Sequence, residues 1–468
     1  MKVRGCVFLA IAIAAAHAVL AIVYASETPY RTPGRILSMR GTPAPDIGAP
    51  DERQHANYVQ EILSGRGFPV FNPKAPDAGE HYEDHQPPLY YLITAGVGKL
   101  MGLDDVGDSV SYRLRWVNAA AGAGTVLGVF CLGLWGLGRA DVGLGAAAVA
   151  AFLPMNCALS GAVSNDPLLF LLCTWTLAIV AFALRQGWSM KLAIAAGALT
   201  GLAILTKTTG IALLPILLLG VLIPQKKRPT LGMAALAILA VAVLSGPWLA
   251  RNQVLYGDPF ALRAFNEAFA GSPQASGFIG AFGAPAYWLD WVGWWTVRSF
   301  FGVFGYMDVW LTNSGMPGGN NSAYGLLAVL TGLGLLGSIP SFFSSAWKDA
   351  RGVQVVNAAF LAVVVLLFAR FNIQYFQGQG RYLYPAIGPI AVAVSVGCFA
   401  LTGKRGAIAI SLFAGLLLLV NAWAIAKLPS EFEKRSGAQI ALRGRQRLEA
   451  GGLIDPKSRT MLGMGRFL

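Results

Sequence analysis

Residues 167–184 read PLLFLLCTWTLAIVAFAL, with Asp166 just before the stretch and Arg185 just after it. An uncharged run of this length matches a membrane-spanning helix, and a helix that is apolar all round has no place on a soluble surface. Working outward, comparable runs recur at about 7–24, 113–137, 143–160, 192–206, 208–223, 231–249, 322–340, 354–370, 383–401 and 406–426. The pattern predicts an all-α polytopic membrane protein with about eleven transmembrane helices (within 10–13). Composition agrees. The 468 residues are 55% hydrophobic and 13% charged, and the mean hydropathy is +0.56, whereas soluble domains carry about 25% charged residues. A soluble enzyme and a disordered chain are excluded. The five cysteines, Cys6, Cys131, Cys157, Cys173 and Cys398, all fall in apolar runs, which excludes a disulfide scaffold and a C-x-x-C metal motif.

The net charge of +13 acquires a meaning once the charges are sorted by loop. With the N-terminus inside, the inner loops carry Lys2 and Arg4, Arg139, Arg185 and Lys191, Lys226 to Arg228, Lys348 and Arg351, and Lys404 and Arg405. That is the positive-inside bias, not a nucleic-acid surface. It requires that 86–102 not cross the bilayer, as a juxtamembrane or re-entrant helix opened by Pro87-Pro88. The first run then reads as a retained signal-anchor helix, with a cleaved signal peptide as the alternative. The chain divides into a transmembrane domain over 1–426 and a basic tail over 427–468, the tail carrying Arg443, Arg445, Arg447 and Arg459. Two large segments face outward, 26–111 and 251–321. Ionisable groups gather there instead of at the bilayer midplane, which favours chemistry at the outer surface over transport.

Within the first outer segment, Pro50-Asp51-Glu52-Arg53-Gln54-His55 leads into Ala56, Val59, Ile62 and Leu63, the spacing of a short amphipathic helix lying on the membrane. Asp51 and His55 stand one turn apart; taken alone Asp51 reads as a helix cap, and a carboxylate so placed can also serve as a general base. His81 and His85, flanked by carboxylates, have the spacing of a divalent-metal site; solvated loop residues are the alternative. Asp166, ahead of Pro167, reads as a helix cap. Lys207 interrupts an apolar hairpin, where a charge must either snorkel to the interface or find a partner, such as a phosphate. Arg251-Asn252 precedes the turn Tyr256-Gly257-Asp258-Pro259. In Gln377-Gly378-Gln379-Gly380-Arg381-Tyr382, the glycines allow close backbone approach to a ligand and Arg381 suits a forked phosphate contact. No Walker A, G-x-S-x-G, H-E-x-x-H or S-x-x-K motif appears in a suitable context.

Taken in order, these elements resemble the GT-C superfamily of membrane glycosyltransferases, nearest to bacterial relatives of the protein O-mannosyltransferases and aminoarabinose transferases. The matching residues are Asp51-Glu52, His85-Gln86-Pro87-Pro88-Leu89, Asn165-Asp166-Pro167, Leu205-Thr206-Lys207, Arg251-Asn252 with Tyr256-Gly257-Asp258-Pro259, and Gln379-Gly380-Arg381-Tyr382. The resemblance covers about residues 1–400. It implies a GT-C-like fold and inverting transfer of a sugar from a polyprenyl-phosphate donor to a glycan, lipid or protein acceptor. The place implied is the outer face of a bacterial cytoplasmic (inner) membrane. Asp51 becomes the general base, and Lys207 and Arg381, with Arg251, bind the donor phosphate. Glu52, His55, His85, Asp166, Gln379 and Tyr382 take supporting or acceptor-binding places. Many such enzymes act without metal and the oligosaccharyltransferase branch needs a divalent ion, so His81 and His85 leave a metal open. The rival readings are a transporter or flippase of a lipid-linked or polar solute, and a non-catalytic scaffold.

Overall fold

The computed structural model describes residues 3–32, 46–104, 108–223, 229–305, 307, 309–312 and 322–450, with side chains resolved in detail as far as residue 433. Lys226, Lys227, Arg228 and Arg459, together with the side chains of Arg443, Arg445 and Arg447, lie outside this description. Helices follow the apolar runs. α1 (Val3–Glu27) is followed by two helices of the first long segment, α2 (Glu52–Leu63) and α3 (Leu89–Leu100). The central group comprises α4 (Asp108–Cys131), α5 (Ala140–Phe152), α6 (Pro154–Ser160), α7 (Asp166–Gln186), α8 (Met190–Thr206), α9 (Leu214–Leu222) and α10 (Leu231–Tyr256). The second long segment carries α11 (Leu262–Ala268), α12 (Ala275–Phe282), α13 (Ala284–Ala286) and α14 (Trp294–Phe301). α15 (Ser322–Ser338), α16 (Arg351–Gln374), α17 (Ile387–Thr402) and α18 (Gly406–Ala450) follow. Among the described residues, strand is confined to two short antiparallel pairs, Arg31–Thr32 with Asp46–Ile47 and Val303–Phe304 with Val309–Trp310.

The chain is a polytopic all-α membrane protein. Among the described residues, seven helices are long and apolar enough to cross a membrane, or up to eight if α5 and α6 are one broken span. The difference from about eleven has local causes. α5 and α6 meet at a 66° bend, where Pro154 cannot donate to the preceding turn. α8 and the apolar helix Thr208–Leu222 are short; at 1.5 Å per residue each falls below the roughly 30 Å of a hydrocarbon core. The stretch Gly380–Glu433 counts as one apolar length, yet Gly403, at φ 58, turns it back between α17 and α18. α18 itself continues through Lys427 to Ala450, so no break in the backbone marks the expected start of a tail.

α4 and α7 sit at the centre: 61% and 67% of their apolar windows are buried, against 17% for α10. α10 turns Ile238, Leu239 and Val243 outward, each more than half exposed, as a lipid-facing helix should. Helices approach closely where side chains are small. A Cβ on Gly397 of α17 would lie 1.8 Å from the Gly334 carbonyl oxygen of α15, the small-residue packing that membrane helices use in place of a hydrophobic driving force. His17 of α1 is fully buried and bonds the Ala151 carbonyl at 2.8 Å and Ser160 Oγ at 3.1 Å, which fastens α1 to α5 and α6.

A second, smaller core lies in the first long segment. Tyr30, Ala56, Tyr58, Val59 and Leu63 pack against Tyr90, Tyr91, Ala95, Leu103, Leu114 and Val163. α2 is therefore clamped under α3 and the end of the bundle, where the sequence suggested a helix lying on the membrane. α3, twelve residues long, is about 18 Å and cannot span. It buries its two tyrosines and leaves Leu92, Ile93 and Leu100 exposed, as the juxtamembrane reading of 87–102 expects.

Candidate functional site

Asp51 precedes the first residue of α2 but does not cap it. Its backbone is left-handed (φ 60, ψ 4) and its side chain makes no capping hydrogen bond. For a residue with a Cβ this conformation costs about 1–2 kcal/mol, and such strain persists where surrounding contacts dictate it. The contacts are evident. Asp51 Oδ2 accepts from Arg381 Nη2 at 2.5 Å, and Oδ1 accepts from the Tyr82 hydroxyl.

Arg381 arrives from the other end of the chain, in the 3-10 turn Gly380–Ala386 that leads into α17. It is 5% exposed. Gln379 Oε1 accepts from its Nε at 2.7 Å, and the Tyr382 hydroxyl lies 3.4 Å from Nη2. These two neighbours aim the guanidinium. Gly378 and Gly380 approach protein and not a ligand: a Cβ on Gly380 would lie 2.3 Å from the Phe300 backbone nitrogen of α14. Ser299 of the same helix accepts from the Gly380 N–H at 2.7 Å. Gly380→Ala must push this turn off α14 and carry Arg381 away from Asp51. Activity in cells should fall about 10²-fold, as for an ångström-scale misplacement of a reacting group, with the protein still inserted. Unchanged activity would show that this packing does not position Arg381.

Asp166 is the first residue of α7, and Lys207 follows the last residue of α8. Lys207 Nζ donates to Asp166 Oδ1 at 2.6 Å, and Arg381 Nη1 stands 3.9 Å from Asp166 Oδ2. The chain reverses sharply at Lys207 because Gly210 fits against the last turn of α8, where a Cβ would lie 2.4 Å from the Ala203 carbonyl carbon. Lys207 is thus neither snorkelling nor free. Asp51, Arg381, Asp166 and Lys207 form a row of alternating charge at one end of the bundle, built from four segments distant in sequence.

Burial works against the Asp51 carboxylate, but the Arg381 guanidinium and the Tyr82 hydroxyl outweigh it and hold the group at about 2. Glu83, in the single turn Tyr82–His85, behaves in the opposite way. Burial, then the nearby Asp51 charge, push it up to about 8. Its Oε2 is buried without a hydrogen-bond partner and lies 3.8 Å from His55 Nδ1, which also meets the Tyr91 hydroxyl at 2.9 Å. Burial lowers His55 to about 3 and His85 to about 4, so both are neutral at pH 7.

The other candidates have different employment. Glu52 is fully buried in a fork with Arg115, at 2.7 and 2.8 Å, and its Oε1 also accepts from the Val163 N–H at 2.8 Å. Its carboxylate is committed to structure and has no place for an acceptor. Arg251 donates to the Pro69 carbonyl at 2.7 Å and stacks on Trp248 at 4.4 Å; it clamps the first segment and does not join the row. His81 pairs with Asp84 at 3.2 Å and Asp77 at 3.7 Å, and the Asp84 contact, working against burial, holds it above its ordinary pKa. His85 Nδ1 is engaged by the Tyr82 carbonyl. Among the described residues, no three His, Cys, Asp or Glu side chains gather as metal ligands. Between the carboxylates of the row stand Arg381 and Lys207, whose charges occupy the places a divalent ion would take. These residues do not fit a resident metal.

Glu83, Tyr82 and Tyr91 escaped sequence reasoning. Glu80, Glu83 and Asp84 fall within five residues and read as a solvated acidic stretch; only packing buries Glu83 and Asp84 and gives Asp84 a partner in His81.

A family model described as "Predicted membrane protein (DUF2142)" matches residues 65–389. No curated protein is significantly similar in sequence. Among solved structures, the oligosaccharyltransferase of Archaeoglobus fulgidus in complex with Zn and sulfate matches with a TM-score of 0.54 at 15% identity, over 88% of this chain and 53% of that one. The oligosaccharyltransferase AglB from the same organism, in complex with an inhibitory peptide and a dolichol-phosphate, matches with a TM-score of 0.51 at 14% identity, over 89% and 56%. ArnT from Cupriavidus metallidurans bound to undecaprenyl phosphate matches with a TM-score of 0.45 at 13% identity, over 94% and 80%. The chain spans about half the length of the archaeal structures, and what it shares with them is the fold, that of the GT-C glycosyltransferases.

Proposed function

Since this chain belongs to the DUF2142 family of membrane proteins and has the GT-C fold, we propose that it is a glycosyltransferase that moves a sugar from a polyprenyl-phosphate donor to an acceptor hydroxyl or amine. The observation that carries this reading is the row Asp51–Arg381–Asp166–Lys207 at one end of an apolar bundle. A donor of this class has a lipid tail and an anionic head, and asks for cations placed where helices end. Dolichol-phosphate, a ligand of the archaeal protein with the same fold, belongs to that class. The charges sit at helix ends and not in mid-span, which speaks against a transporter. The same reading puts the site on the extracytoplasmic face of the cytoplasmic membrane, from the basic inner loops of the sequence, with a glycan, lipid or protein as acceptor.

Chemistry follows from the ion pairs. While Arg381 holds Asp51, the carboxylate is a feeble base. A donor phosphate competes for the guanidinium, and as Arg381 turns to it Asp51 loses its counter-ion and gains basicity. Asp51 then takes the proton of the acceptor as the acceptor oxygen or nitrogen attacks the anomeric carbon from the face opposite the phosphate, which inverts that centre. Arg381 and Lys207 stabilise the charge that develops on the leaving phosphate. Donor binding and base activation are in this way one event, so the enzyme is poised only when loaded.

Polyprenyl phosphate, the lipid product, is a usable probe. Titrated into the protein in lipid nanodiscs, it should bind Lys207→Met and Arg381→Gln about 10- to 100-fold more weakly than wild type, the worth of a hydrogen bond to a charged group. Arg381→Lys should fall between them and wild type, because lysine supplies charge without the fork. Equal binding by all four proteins would remove the phosphate from this site. In cells, deletion should leave unspent sugar-phosphate lipid in the extract and remove one envelope glycan.

A further inference from the structure

Glu83 is unused by the mechanism above, and its surroundings suit it to a further step. The groups around it are Asp51, just before α2, and His55 of α2; from α3, Tyr91; from α7, Asp166; and from the turns before α9 and α17, Lys207 and Arg381. It is 7% exposed, and its Oε2 has no partner. A carboxyl oxygen left unpaired in a buried site costs about 1–3 kcal/mol unless something occupies the space before it. Asp166 Oδ2, on the same row, likewise lacks a hydrogen-bond partner. The first of these oxygens feels the charges of the row, and the second stands 3.9 Å from Arg381 Nη1.

The geometry points to Glu83 as the acid that protonates the departing polyprenyl phosphate, with Asp51 as its proton-accepting counterpart. The inference rests on the donor reading given above. As the bond between the anomeric carbon and the phosphate oxygen breaks, its electron pair stays on that oxygen and Glu83 delivers a proton to the phosphate. The acceptor forms its bond to the anomeric carbon and gives its own proton to Asp51. One proton is taken and one is released, so the products are the glycoside and a polyprenyl hydrogen phosphate. The enzyme is left with a protonated Asp51 and an ionised Glu83. Return of that proton past the neutral His55 ring restores the starting state without exchange with solvent. The adjacent acids thus divide the work: the one paired with arginine accepts, and the one without a partner donates.

The charge count gives the test. With Glu83 neutral, the two carboxylates and two cations of the row cancel; ionising Glu83 adds a negative charge beside the phosphate. Affinity for a C55 polyprenyl phosphate is measured in nanodiscs from pH 7 to pH 9.5, a range in which the lipid phosphate is already largely ionised, its second pKa being about 6. Wild-type affinity is expected to fall at least tenfold as pH rises through the Glu83 pKa of about 8. Glu83→Gln is expected to bind across the whole range as wild type does at pH 7, and to fail to restore the glycan of a deletion strain, since an amide can hydrogen-bond to phosphate but cannot give up the proton. A wild-type affinity independent of pH, an equal fall in Glu83→Gln, or full restoration by Glu83→Gln would each overturn the assignment. Absence of polyprenyl-phosphate binding by both proteins at every pH would instead overturn the donor reading on which it stands.

Discussion

Asp51→Asn is expected to abolish sugar transfer, by about 10²–10⁴-fold, the usual share of a general base, in a protein that folds, inserts and still binds polyprenyl phosphate. The substitution is mild in every respect but charge. Asparagine is the residue besides glycine that best tolerates the left-handed backbone found at this position. Its amide oxygen can accept from Tyr82 or Arg381 in place of the carboxylate. What it cannot do is take a proton. Because the substitution also frees Arg381 from its counter-ion, phosphate affinity should hold or rise while transfer is lost. The measurement pairs the glycan of a complemented deletion strain with polyprenyl-phosphate affinity and thermal unfolding of the purified variant. Full restoration of the glycan would remove Asp51 from the reaction; joint loss of binding and stability would make it a structural residue.

Its neighbour should behave differently. Glu52→Gln and Arg115→Met are each expected to destabilise the protein by about 3–5 kcal/mol, the cost of stranding one member of a buried ion pair. Both side chains are nearly inaccessible, and the fork between them is supplemented by bonds from Arg115 to the carbonyls of Ala25 and Thr28 at 2.7 and 2.6 Å. The pair therefore ties the end of α1, the start of α2 and the start of α4 together. Thermal unfolding in detergent should show a large loss for each single variant. The double variant Glu52→Leu/Arg115→Met should recover part of it, because no charge is then left unpaired. Single variants with wild-type stability would mean that the fork forms no part of the framework. The two predictions separate adjacent acids, one by chemistry at constant stability and the other by stability itself.

Much was legible in the sequence. Runs such as 167–184 placed the helices, and the absence of charge from them placed the chain in a membrane. Lys207 drew notice because a cation in an apolar hairpin is costly, and the structure supplies the partner that offsets the cost, Asp166. Gln379-Gly380-Arg381 was noticed for its glycines, although these serve the approach to α14. Less legible was the number of crossings: the composition of a run does not show the bend at Pro154, or that α8 and Thr208–Leu222 are short. Arg251 looked like a third phosphate ligand because an interfacial arginine has no sequence mark that tells a carbonyl clamp from an anion site.

By itself the sequence determined that this protein is a bundle of membrane helices with its scarce ionisable groups set at helix ends and in the long segments between helices. That follows from transfer free energy, which depends on composition along a run and hardly on what packs beside it. Only the tertiary structure decided which acid meets which partner. Asp51 and Glu52 are consecutive, and so are Glu83 and Asp84, yet their side chains diverge, across the left-handed residue before α2 in the first pair and within a 3-10 turn, at about 120° per residue, in the second. One member of each pair meets the charged row while the other meets Arg115 or His81. The partners that fix those fates, Arg381 and Arg115, lie 330 and 63 residues away, and a pKa answers to distance in space and to burial, not to position in the chain.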